Sequence, residues 1–93
     1  MNKFVIERQI PGAGKLSMAD IQTVARKSIN VLASLGVEIQ WVESYITGDK
    51  IYCVYLATSE DLIREHGRLS GIPVNSVEKV TRVIDPTVVD SRA

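Results

Sequence analysis

Little in this chain advertises chemistry. It holds one cysteine, Cys53, so no internal disulfide framework can form. His66 is the only histidine, and no HxxxH, HxxE or CxxC spacing accompanies it. Eleven Lys and Arg offset eleven Asp and Glu, which leaves no net charge and no basic footprint for nucleic acid. The same neutrality raises no long-range barrier to self-association. No apolar run approaches the length of a membrane span, and only three apolar residues separate Lys3 from Glu7, too few for a signal segment. The expectation is a soluble, cytoplasmic protein that touches neither membrane nor nucleic acid. Repeats, low-complexity tracts and linkers are also missing, so residues 1–93 read as one domain able to bury roughly 60–70% of its unfolded surface. Gly12-Ala-Gly14 lacks the GxxxxGK[ST] spacing of a phosphate cradle and reads as a plain loop. No strong catalytic motif is present, and the reading leans away from an enzyme.

What the chain does have is concentrated in Trp41 to Leu56. Two strand-like runs flank Gly48-Asp49 and hold the only Trp and all three Tyr, as well as Cys53. Aromatic and β-branched residues suit a half-buried sheet, so these runs read as an antiparallel hairpin. Phe4-Val-Ile6 begins an earlier strand that Pro11 and its neighbouring glycines end. Ser17, with Asp20 three residues on, predicts a helix from about Met18 to Leu35 that Gly36 releases. Its inner stripe is Ile21, Ala25, Ser28, Ile29, Leu32 and Leu35, with Val24 and Val31 at the edges. Thr58 or Ser59 caps a second helix, acidic in its first turn and stopped by Gly71-Ile-Pro73. Val77 to Ile84 alternates as a last long strand, and Val88-Val89 reads as a short edge strand or dimer arm.

The order β-α-β-β-α-β is the split βαβ arrangement of ferredoxin-like α+β folds, with both helices on one face of an antiparallel sheet. The other face, carrying Trp41 or Tyr45 with Tyr55 and Val83, is too apolar for an isolated subunit. A homodimer of dimeric α/β-barrel type, stacking two open faces around a shared cavity, is therefore expected. Hairpin register stays open. One loop length puts Ser44 opposite Cys53 and Val42 opposite Tyr55, and another puts Tyr45 opposite Cys53 and Glu43 opposite Tyr55.

Two groupings carry candidate chemistry. Trp41, Ser44, Tyr45, Cys53 and Tyr55 could line a ligand cavity for a small molecule, although free cysteines are mostly inert packing. His66 is the best single group for metal ligation, with Glu65 beside it and Glu43 brought in by the fold. Its helical neighbours Leu62, Ile63 and Leu69 equally suit a buried structural imidazole, and Glu65 points about 100° away from it. Glu7, Glu43 and Glu78 in strands read as solvated, or paired with Arg8, Lys79 or Arg82. A sheet surface that only makes a dimer, with no ligand, is the remaining reading.

The chain also resembles a domain-of-unknown-function family of small bacterial proteins that includes nickel-binding, nickel-responsive members. The residues that carry the likeness are Lys3-Phe-Val-Ile-Glu-Arg8 with Pro11-Gly12, Trp41-Val-Glu-Ser-Tyr45, Asp49-Lys50, Tyr52-Cys-Val-Tyr55, Arg64-Glu-His66, Gly71-Ile-Pro73 and Ile84-Asp-Pro86. The resemblance implies a ferredoxin-like subunit, a homodimer and, for some members, nickel at the dimer surface. Glu43 stands where it implies a second histidine in some relatives. Imidazole suits nickel better than carboxylate, so a dedicated high-affinity cage is not expected.

Overall fold

In the computed structural model, which describes residues 1–90, the chain forms two helices and a four-stranded sheet. Strand β1 (Asn2–Gln9) leads through a 3₁₀ turn (Ala13–Lys15) into helix α1 (Met18–Leu35). The hairpin β2 (Ile39–Ile46) and β3 (Lys50–Ala57) follows, then helix α2 (Glu60–Ser70), strand β4 (Ser76–Lys79) and a second 3₁₀ turn (Pro86–Asp90). All pairings are antiparallel in the order β2-β3-β1-β4, an α+β arrangement compatible with a ferredoxin-like fold.

Period-two alternation explains the sheet. Phe4, Ile6 and Arg8 of β1 turn to one side, as do Cys53, Tyr55 and Ala57 of β3, while their neighbours turn to the other. The inner side, with Ile39 and Val77, forms the core on which Leu32 and Leu35 of α1 and Leu62 and Ile63 of α2 pack. Local chemistry sets the helix ends. Ser17 Oγ accepts from the Asp20 N–H at 3.1 Å, and Ser59 Oγ caps α2 through the Leu62 N–H. Gly71, at φ 72°, closes α2 in the left-handed conformation that favours glycine.

Four sequence expectations change. In the hairpin Ser44 does face Cys53, but a β-bulge between Trp41 and Glu43 puts Trp41 rather than Val42 opposite Tyr55. The last strand is four residues long instead of reaching Ile84. Its ladder with β1 runs from Glu7 opposite Ser76 to Phe4 opposite Lys79, and the Val80 N–H bonds to Lys3 O just beyond it. Val83 and Ile84 lie exposed beyond it, and Val88 and Val89 sit in the 3₁₀ turn rather than a strand. On α1, Ile29 is half exposed and only Ser28 is fully buried, so the helix stands further from the sheet than its stripe suggested.

Local contacts fix where that gap opens. The Pro11 loop is clamped to the far end of the hairpin: the Ile10 N–H bonds to Asp49 O, Gly12 N–H to Asp49 Oδ1 and Gly14 N–H to Gly48 O. A side chain on Gly14 would lie 2.9 Å from Thr47 O, which is why the close approach needs glycine. The loop thus holds Leu16 and the first turns of α1 over the β2–β3 end of the sheet.

Candidate functional site

Between α1 and the sheet lies a cavity of about 120 Å³. Its walls are almost entirely apolar, with Ile10, Leu16, Ile21, Ala25, Ile51 and Ile72 among them. Val24, Trp41 and Ile46 stand at its rim and are its most exposed members, 43%, 37% and 40% accessible. The mouth therefore opens between α1 and the edge strand β2.

Four of the five residues expected to line a ligand cavity meet here: Trp41, Ser44, Cys53 and Tyr55. Their location differs from the expectation, since the cavity lies under α1 and not between two open sheet faces. Tyr45 does not join them. It follows Ser44 by one residue, so alternation turns it to the open face, where it is 54% exposed and pairs across from Tyr52. Tyr55 and Val83 likewise do not furnish the open face, because Tyr55 is buried in the core and Val83 lies outside the sheet.

Polar groups form a chain along one wall. Trp41 Nε1 donates to Ser44 Oγ at 2.9 Å, and Ser44 donates in turn to Cys53 Sγ at 3.1 Å. Arg8 Nε donates to the same sulfur from the other side at 3.3 Å. The Arg8 Nη1 reaches the carbonyls of Ile72 and Pro73 at 3.3 and 3.1 Å, and Nη2 has no partner among the described residues. Arg8 is 1% exposed and makes no ion pair there. It is therefore not the surface partner for strand carboxylates that the sequence suggests. Its phase with Phe4 and Ile6 is the signal that it turns inward.

His66 is fully buried behind this wall. Its Nε2 lies 2.9 Å from Ser28 Oγ, its ring packs 5.4 Å from that of Tyr55, and Nδ1 has no partner among the described residues. Burial lowers its pKa to about 4, the positive charge of Arg8 adds to the fall, and Ser28 opposes it. The imidazole is therefore neutral at physiological pH. Burial also raises the Tyr55 phenol, with Arg8 and Ser28 pulling the other way.

The three expected metal ligands are not brought together. His66 faces the core, Glu65 is turned to Arg68 Nε at 3.0 Å, and Glu43 is exposed on the opposite face of the sheet beside Val54. Among the described residues no group of three or more His, Cys, Asp or Glu is placed to hold a metal ion. On the open face Glu43 and Glu78 belong to one cross-strand row, with Val54 and Val5 between them. Glu7, one row on, is paired with Lys50 at 3.0 Å and not with Arg8, Lys79 or Arg82. Hydrogen bonding to Glu43, ahead of burial, raises the Tyr45 phenol. No described helix is long and apolar enough to cross a membrane.

Fold and site define a small α+β protein organised around a half-covered pocket with one buried cation. The sequence model of the nickel-responsive SCO4226-like proteins matches residues 4–80, and the chain belongs to that family. The crystal structure of SCO4226 from Streptomyces coelicolor A3(2) is similar in fold, with a TM-score of 0.74 over 88% of this chain and 99% of that one. At 10% identity this likeness speaks for the fold alone. No curated protein matches the sequence.

Proposed function

We propose that this chain is a cytoplasmic, homodimeric, nickel-responsive binding protein with no catalytic role. The family match over residues 4–80 carries this reading. The open face supports the assembly: Val5, Tyr52, Val54 and Leu56 remain partly exposed, and Tyr45 is exposed beside them. Stacking two such faces would take these groups out of water at roughly 25 cal/mol per Å² of apolar area. It would also bring the rim carboxylates Glu43 and Glu78 of one copy against the rim of the next, where oxygen donors from two chains can meet one divalent ion. With the sole imidazole turned into the core, such a site binds nickel modestly and not as a cage.

Calorimetric titration with nickel, alongside sedimentation of the same samples, tests this. The wild type is expected to be dimeric and to bind nickel. Glu43→Gln with Glu78→Gln should stay dimeric and lose the metal, while Val54→Asp should lose both. Nickel binding that survives the double glutamine change overturns the site, and a wild-type monomer at micromolar concentration overturns the assembly.

A second reading is favoured by one observation: Arg8 lines an apolar cavity with an open mouth, and its buried Nη2 has no partner among the described residues. Such a cavity suits a small-molecule ligand.

A further inference from the structure

This inference rests on the small-molecule reading, and the buried cation names the ligand class. A guanidinium is a permanent cation, and burying one without a counter-charge costs several kcal/mol. Among the described residues Arg8 has only neutral acceptors, a sulfur and two backbone carbonyls, and these leave Nη2 with none. No carboxylate among the described residues lines the cavity.

We propose that the cavity binds a compact apolar monocarboxylate, aromatic or branched aliphatic, whose carboxylate meets the guanidinium of Arg8. Shape and charge each restrict the choice. A volume of about 120 Å³ is close to the roughly 150 Å³ of an engineered apolar cavity that takes benzene, so the apolar part is about one ring in size. The isoleucines and Leu16 give that part no polar partner. Arg8 offers N–H donors in a planar fork suited to a carboxylate, and the Tyr55 and Ser28 hydroxyls stand near it as further polar groups. Trp41 and Val24 at the mouth would close over the far end of the ligand.

Trp41 is the only tryptophan and lines the cavity, so its emission reports occupancy. The experiment titrates the full chain with benzoate, benzamide and acetate, read by calorimetry and by Trp41 emission. Benzoate is expected to bind at least tenfold more tightly than benzamide or acetate. Arg8→Met should bring benzoate and benzamide to within twofold of each other, and Arg8→Lys should keep part of the difference.

The outcomes separate the two ideas. If neither aromatic probe binds, the cavity is not a ligand site and the small-molecule reading falls with the proposal. Equal binding of benzoate and benzamide leaves the cavity reading standing and overturns the carboxylate. Acetate binding as tightly as benzoate would mean a bare anion site and overturn the apolar half. A preference for benzoate that survives Arg8→Met overturns the assignment to Arg8. Should Arg8→Met fail to fold, the three-probe comparison on the wild type still decides the ligand class.

Discussion

Ser28 Oγ and His66 Nε2 meet at 2.9 Å and tie α1 to α2 inside the core. Both groups are buried, and this is the only hydrogen bond His66 makes among the described residues. Removing the hydroxyl with Ser28→Ala leaves both ring nitrogens without a partner. A buried polar group stripped of its partner costs about 1–3 kcal/mol, so denaturant unfolding should show a loss in that range.

His66 also makes stability depend on pH. Its folded pKa of about 4 lies below the 6.5 of an unfolded histidine, so between those values the unfolded chain takes up a proton that the folded one refuses. Stability should therefore be full above pH 6.5, fall as pH drops toward 4 and level off below. The total contribution is about 3 kcal/mol from the size of the shift. Melting curves across this window should be flatter for His66→Gln than for the wild type.

Gly67 is held by contact rather than by backbone conformation. A methyl group added there would sit 2.5 Å from Val74 Cγ2, and valine side chains have little freedom to give way. The gain in helix propensity from Gly67→Ala is about 1 kcal/mol, against about 1–3 kcal/mol for overpacking. Chemical denaturation should find the variant less stable by up to about 2 kcal/mol, with most of the loss recovered when Val74→Ala is added.

Ser44 links the rim of the cavity to its wall. Ser44→Ala takes an acceptor from Trp41 and a donor from Cys53. Stability should fall by about 1 kcal/mol, because the indole stands at the rim and can turn to water. Trp41 emission should move to the red for the same reason.

How far the structure is legible in the sequence depends on how local each cause is. The bounds of α1 and its Ser17 cap follow from residues next to one another, and they emerge as expected. The alternation of Val77 to Ile84 is equally local, but strand length needs a paired neighbour, and the ladder with β1 goes no further than Lys79 opposite Phe4. The cavity residues Trp41, Ser44 and Cys53 can be grouped by the hairpin alone. Which side of the sheet they share cannot, because one bulged residue decides it. His66 stands out for its rarity, yet Ser28 and Tyr55, which enclose it, come from elements far along the chain. Arg8 is the clearest omission, since strong alternation places it inward while its charge argues for the surface.

The irregularity at Val42 reaches beyond the pocket. Strand β2 is a free edge of the sheet, and an unbroken edge is a template on which stray strands of other molecules can add. A bulged residue interrupts the regular spacing of outward-facing amides and carbonyls, so no straight intruder can match its full length. The opposite margin, β4, is only four residues long and offers little more purchase. Neither border therefore offers a long, regular ladder along which one chain after another could add.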